Sequence, residues 1–321
     1  MAIPLRHPKP KKKSPFHISN FLRFTSLRQF LLILLFLALA PPIFLHFRLK
    51  IFHQMQLQKC NWLKNPPLVC AHGGDSTNAF PNTMSAYRAA LVSQVDCIEI
   101  DVSRSLDGVL FALHDRDLQR LSGNKSVKVG HLTSKEIKQI GARHPLFKEF
   151  QDQEISTIED ALLLVSKSVQ QVVLDAKVGP PNYEKGLATD IISIVDKTLC
   201  KNCIVWAKSD TLARDVINLG QSIPVGYIVM KDPSTGIRSN LLRIKAAEVV
   251  GVYHPLIDEN LVKVLHRRNK KVYAWVVDEE ESMQKMVLKG IDAIVTGFPT
   301  LLQRIMQNLR TQCLEEGFSL P

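Results

Sequence analysis

Residues 97–114 read C-I-E-I-D-V-S-R-S-L-D-G-V-L-F-A-L-H. Two carboxylates, Glu99 and Asp101, alternate with apolar residues in the first five positions. Successive side chains of a strand point to opposite faces, so the two carboxylates share one face and Ile98 and Ile100 the other. A charge in so apolar a strand is costly to bury unless it is paired or ligates a metal. Asp107-Gly108 is a dipeptide favoured in hairpins, so 108–114 predicts an added strand that folds back beside 97–101 and ends at His114.

Outward from this stretch the chain alternates short apolar, β-branched runs with longer stretches of helical period. The other candidate strands are 68–72 (LVCAH), 171–175 (QVVLD), 203–207 (CIVWA), 224–229 (PVGYIV), 248–253 (EVVGVY), 272–277 (VYAWVV) and 292–296 (DAIVT), which with 97–101 makes eight. Helix-like segments lie at 83–93, 157–168, 185–199, 209–219, 258–268 and 279–289. Strand–helix alternation repeated over roughly 250 residues predicts a (β/α)8 TIM barrel, not an open doubly wound sheet. Residues 115–155 form a small insertion after the second strand, placed over one barrel mouth.

The polar residues fall at strand ends. His72 closes the first strand, Glu99 and Asp101 the second, His114 the added one, and Asp175 with Lys177 the third, while Trp275 lies near the end of the seventh. Barrel enzymes hold their catalytic groups at this C-terminal end. Three carboxylates aimed at one mouth repel one another, and a hard divalent cation with oxygen ligands resolves the conflict. Each residue alone has a plainer reading: Glu-x-Asp as a solvated or paired edge, His72 as a satisfied core histidine, Asp175 with Lys177 as an internal ion pair. Their joint occurrence at successive strand ends argues for a site.

The net charge of +11 suggests a nucleic-acid binder until it is located. Of the 41 Lys/Arg, 11 precede Asp75, the first acidic residue, and the remaining 30 face 30 Asp/Glu. The presumed domain is thus neutral, whereas a polynucleotide groove needs the excess on the domain itself. Residues 30–47 (FLLILLFLALAPPIFLHF) are apolar over eighteen positions, near the lower limit of a membrane span. Seven basic residues from Arg6 to Arg28 precede this run and four (Arg48, Lys50, Lys59, Lys64) follow it. The positive-inside bias predicts a single-pass anchor with a cytosolic N-terminus and a luminal or extracellular domain. A plastid or mitochondrial transit peptide is the alternative, and a cleaved signal peptide fits less well because no small-x-small site follows. The expected organisation is a basic tail at 1–29, a hydrophobic helix at 30–47, a linker at 48–66, the barrel at 67–310 and a C-terminal tail at 311–321. Six scattered cysteines do not suggest a disulfide scaffold. Cys200-x-x-Cys203 reads as ordinary burial, while Cys60 and Cys70 would pair in an oxidising lumen. Asn124-Lys125-Ser126 is a glycosylation acceptor if the domain is luminal.

Taken together, these motifs resemble the glycerophosphodiester phosphodiesterase family from about residue 68 to 305. A-H-G-G-D-S-T-N-A-F-P-N-T at 71–83 is similar to that family's H-R-G…P-E-N-T opening, and 97–115 to its E-x-D…D-G…H-D block. I-S-T-I-E-D-A-L (155–162), L-D-A-K (174–177), V-Y-A-W-V-V-D (272–278) and G-I-D-A-I-V-T-G-F-P (290–299) resemble its later elements in order. The resemblance implies metal-dependent hydrolysis of glycerophosphodiesters to an alcohol and sn-glycerol 3-phosphate, in glycerophospholipid breakdown. It implies Glu99, Asp101 and Asp175 as ligands of Mg2+, with Ca2+ as the alternative. His72 would be the base and His114 the acid, Lys177 would contact phosphate, Trp275 would wall the pocket, and Asn82 would touch substrate. Two positions depart from the pattern: the arginine after the first histidine is Gly73, and the glutamate before Asn82 is Pro81. If the arginine is a simple loss, Gly73→Arg should raise activity. The alternatives are a lysophospholipase D/sphingomyelinase D-like enzyme acting on lipids, and a tethered protein that binds phosphodiesters without cleaving them.

Overall fold

The computed structural model describes residues 27–77, 79–145, 155–219 and 223–318. Most of the basic tail (1–26) and part of the insertion (146–154) lie outside them. The chain divides into an N-terminal unit ending at Met55 and a second unit from Gln56 onward.

The second unit is a closed parallel barrel of eight strands: β1 (Leu68–His72), β2 (Cys97–Arg104), β4 (Gln171–Ala176), β5 (Cys203–Ala207), β6 (Val225–Val229), β7 (Val249–Tyr253), β8 (Lys271–Trp275) and β9 (Ala293–Thr296). The added strand β3 (Leu110–Ala112) pairs antiparallel with β2, as the Asp107-Gly108 turn requires. Closure comes from β1, which pairs with β2 on one side and β9 on the other. The first helix, α1, spans Leu27–Cys60. It is followed by α2 (Met84–Val92), α3 (Asp115–Ser122), α4 (Ser134–Arg143), α5 (Ile158–Val165), α6 (Leu187–Lys197), α7 (Asp210–Asn218), α8 (Glu259–His266), α9 (Glu280–Leu288) and α10 (Pro299–Glu315). Several starts are capped by the residue just before them: Thr83 accepts from the Ala86 amide, Ser209 from Leu212 and Asp258 from Leu261. Thr157 and Asp160 form a reciprocal capping box.

Alternate residues of the strands face inward and build one lumen layer from Cys70, Cys97, Val173, Ile204, Trp206, Ile228, Val249, Tyr273, Ala293 and Val295. Trp206 is too large for its position unless a neighbour is small. A β-carbon on Gly251 would lie 2.7 Å from the Trp206 ring, so glycine is what lets the indole fill the barrel. The outward-facing residues pack against the helices as a second, larger core.

Four expectations are corrected. The strand–helix alternation lapses between β6 and β7, where residues 230–248 hold no helix. The hydrophobic helix begins at Leu27 and continues to Cys60, because nothing in 48–60 breaks it, so most of the expected linker is helical. α10 likewise runs past 310 to Glu315. Finally, all six cysteines are paired: Cys60 with Cys313, Cys70 with Cys97 and Cys200 with Cys203. Cys70 and Cys97 are direct register partners on adjacent strands, and the Cys60–Cys313 pair lies 253 residues apart in sequence. Beside that pair, Lys59 bonds Glu316 at 2.7 Å, so the end of α1 is fastened to the end of α10.

Candidate active site

The strand register sets the site. His72 lies beside Glu99 and Asp101 beside Asp175 across paired strands. Glu99, Asp101 and Asp175 each bring one oxygen within 4.8 Å of the others. Lys177, two residues past Asp175, reaches back with its ammonium 2.6 Å from Asp101 Oδ1 and in contact with Asp175 Oδ2. His72 Nε2 stands 4.0 Å from Glu99 Oε2. His114 closes the ring of strand ends as the N-cap of α3, its Nδ1 accepting from the Arg116 amide at 3.1 Å. That bond places the proton of the neutral imidazole on Nε2.

The carboxylates differ in environment. Burial, with the charges of Asp101 and Asp175, pushes the Glu99 carboxyl well above the usual range. Burial would raise Asp101 as well, but the Lys177 ammonium, helped by the two histidines, holds it below the usual carboxylate range. Lys177 is itself raised, since the three carboxylates outweigh its own burial. Burial lowers His72 from its ordinary value. Burial and then the Lys177 charge push His114 down to about 4.

These residues fit a divalent cation. Three hard oxygens converge, and Asp175 Oδ1 is buried with no hydrogen-bond partner. Glu99 becomes an acceptable anion only beside a further positive charge. Behind them, Gly73 N donates to Glu99 Oε2 at 3.0 Å.

Asn82, expected at the substrate, is buried behind Asp101. Its Nδ2 donates to Asp101 Oδ2 at 2.8 Å, and its Oδ1 accepts from the Asp101 amide at 3.1 Å and the Tyr87 hydroxyl at 3.2 Å. Its backbone sits in the left-handed region (φ 61°), where asparagine is tolerated better than most residues. Trp275 and Trp206 line a pocket together with His72, Glu99, His114, Asp175 and Lys177.

Arg116 and Lys208 line the same pocket and were not anticipated. Arg116 Nη2 lies 3.5 Å from His72 Nε2. No motif marks Arg116, since it follows His114-Asp115 on a helix start. Lys208 follows β5 directly, so the strand-end rule that singled out Lys177 applied to it equally. A second cavity of about 240 Å³ adjoins the pocket and shares His114, Lys177 and Lys208 with it. The insertion covers this side: Asp115 accepts from the Val129 amide at 2.9 Å and pairs with Lys128 at 3.0 Å.

Fold and site together define a (β/α)8-barrel protein with a cluster of three carboxylates and two histidines at the C-terminal ends of its strands. Comparison with known proteins identifies the lineage: residues 72–301 match the model of the glycerophosphoryl diester phosphodiesterase family, and the chain belongs to that family. It is 58% identical to glycerophosphodiester phosphodiesterase GDPD4 of Arabidopsis thaliana, over 96% of this chain and 92% of that one. A glycerophosphodiester phosphodiesterase of Caldanaerobacter subterraneus is 28% identical over 75% of this chain and 98% of its own. Among solved structures, a phosphodiesterase of Oleispira antarctica in complex with the product sn-glycerol-3-phosphate superposes with TM-score 0.62 at 22% identity, covering 75% of this chain and 97% of that one. A glycerophosphodiester phosphodiesterase of Agrobacterium tumefaciens gives TM-score 0.60 at 19% identity, covering 74% and 99%. At these identities the structures speak to the fold.

Proposed function

We infer that this protein hydrolyses glycerophosphodiesters to an alcohol and sn-glycerol 3-phosphate. The observation that carries the reading is the convergence of His72, His114 and Lys177 on the Glu99–Asp101–Asp175 cluster, in a chain 58% identical to a curated glycerophosphodiester phosphodiesterase. Glu99, Asp101 and Asp175 would hold a hard divalent cation, Mg2+ because it is commonly bound by a few carboxylates together with water and substrate phosphate, with Ca2+ the alternative. When bound, the cation neutralises phosphoryl oxygens as charge shifts in the transition state.

The chain's own residues do the rest. Burial keeps His72 neutral and fit to take a proton from the attacking water at Nε2, the atom that faces Glu99 and Arg116. His114 exchanges protons through Nε2, because Nδ1 is engaged by the Arg116 amide. Protonation adds a proton at Nδ1, at the expense of the Arg116 amide bond, and the imidazolium then delivers the Nε2 proton to the leaving alkoxide; a bound phosphodiester anion favours that charged form. Acid–base help of this kind contributes roughly 10²–10⁴-fold per group. Lys177 holds Asp101 ionised, contacts Asp175, and presents its remaining donor capacity to phosphate. Asn82 with Tyr87 fixes Asp101, and Trp275 walls the pocket.

The adjoining cavity is lined by Ser103, Ser105, Asn182 and Ser209. Val129, Val178, Pro180, Pro181 and Leu187 share that lining, so the cavity offers polar and apolar surface alike. For location, α1 is long and apolar enough to cross a membrane, with mean hydropathy 2.4 over its most apolar eighteen residues. Three disulfides suit an oxidising compartment, and Asn124 is exposed as a glycosylation acceptor. These support a single-pass anchor with the barrel on the luminal or extracellular side. The test of the activity is release of sn-glycerol 3-phosphate from glycerophosphodiesters by the full-length protein, beside His72→Ala and His114→Ala. Turnover lost in both variants is expected. Turnover that survives either substitution would remove that histidine from the mechanism.

A further inference from the structure

Arg116 and Lys208 stand apart from the other charged groups of the mouth. Lys177 is neutralised by Asp101 and Asp175, Arg104 by Asp190 at 2.7 Å, and Lys128 by Asp115 at 3.0 Å. Among the described residues, no carboxylate lies within ion-pair distance of Arg116 or Lys208. Lys177, together with a divalent cation when one is held there, would balance the three carboxylates of the cluster. Arg116 and Lys208 thus add two positive charges to the lining of this pocket that no carboxylate within ion-pair distance offsets among the described residues.

A phosphodiester brings a single negative charge. If its alcohol is choline or ethanolamine, the ester brings its own positive charge and is neutral overall. Quaternary and primary ammonium groups are recognised by open aromatic faces or by carboxylates. Here the Trp275 ring faces another cation, since Lys208 Nζ lies 5.9 Å from its centroid. Lys208 also borders both the catalytic pocket and the cavity of about 240 Å³. Among the described residues, the one carboxylate lining that cavity, Asp115, is already paired. The cavity also carries Asn182, whose side chain makes no hydrogen bond among the described residues, and the phenol of Tyr183, beside serines that donate to internal acceptors and an apolar wall that includes Val129 and Leu187.

We propose that Lys208 and Arg116 select glycerophosphodiesters whose alcohol is an uncharged or anionic polyol over those that carry an ammonium group. The selection rests on the phosphodiesterase reading above and names the substrate class of that site. Like charges about 6 Å apart at a solvent-facing mouth repel enough to give roughly tenfold discrimination, which salt screens.

The experiment compares kcat/KM of the full-length protein for glycerophosphoglycerol, glycerophosphoinositol and glycerophosphocholine, at low and high ionic strength. Wild type should favour the first two by roughly tenfold at low salt, and the ratio should shrink at high salt. Lys208→Glu should invert or abolish the ratio, whereas Lys208→Arg should preserve it, a pattern that a purely structural lysine would not give. Choline-ester turnover equal to or above that of the polyol esters overturns the proposal, as does a ratio indifferent to Lys208→Glu in a folded variant. Loss of turnover on all three substrates by wild type refutes the phosphodiesterase reading itself, and the selectivity falls with it.

Discussion

Replacing Gly73 by arginine puts a β-carbon where there is no room for one. On the existing backbone it would lie 2.9 Å from Pro81 Cβ, 3.1 Å from Asn82 N and 3.3 Å from Asn82 Nδ2. Gly73 also has φ +62°, a left-handed conformation that costs a non-glycine residue roughly 1–2 kcal/mol. Overpacking of a buried site adds roughly 1–3 kcal/mol. Gly73→Arg should therefore lose about 2–5 kcal/mol of stability. The pressure falls on Asn82, which holds Asp101, so activity should fall as well. Gly73→Ala carries the same β-carbon and should reproduce most of the loss, while Pro81→Gly in the Gly73→Arg background removes the nearest contact and should recover part of it. Chemical denaturation of the four proteins, with phosphodiester turnover measured alongside, reads both effects. A Gly73→Arg variant as stable as wild type and more active would refute the reasoning. It would also reinstate the simple expectation that the arginine was merely lost.

Two further predictions concern titration. Burial, then the neighbouring Asp101 charge, pushes the Asp117 carboxyl up to about 6, and its Oδ2 is buried without a partner. With the folded value raised, ionisation is unfavourable in the fold, so the penalty is absent below the ordinary 3.8 and complete once pH passes about 6. Asp117→Asn should accordingly stabilise the protein at neutral pH, by roughly 1–3 kcal/mol, with no gain in acid; a loss at neutral pH would contradict this. For the histidines, a base must be neutral to act, and burial lowers His72. The acid limb of kcat/KM should hence lie below 6.5, and the His114 imidazole of metal-free protein should titrate about 4 by NMR. Lys177→Met should move both upward, since it removes a positive charge; unchanged titrations would dismiss Lys177 as a cause.

Much of the site was legible because it lies on strand ends. The alternation that puts Glu99 and Asp101 on one face also aims them at the mouth, and register with β1 and β4 then brings His72 and Asp175 alongside. Such facts follow from a period of two and a known barrel polarity. Contacts between residues distant in sequence did not show in this way. Cys313 meets Cys60 only because α10 packs back against the end of α1, and no spacing records that. Asn82 was visible as a motif residue, but its burial behind Asp101, and hence its positioning role, depends on the turn that brings it there. Gly73 and Pro81 read as two separate departures in sequence, whereas in space they touch and form one coupled change. The missing helix between β6 and β7 escaped notice because the eight strands alone satisfied the barrel pattern.

The central claim is that catalysis depends on a cation held by Glu99, Asp101 and Asp175. The most direct test strips the full-length protein with chelator and restores Mg2+ by titration, following heat of binding and release of sn-glycerol 3-phosphate together, for wild type and Glu99→Gln. Wild type should bind one ion and regain turnover in step with binding, while Glu99→Gln should weaken both. Turnover that persists without the ion, or that is undisturbed in Glu99→Gln, would contradict the account.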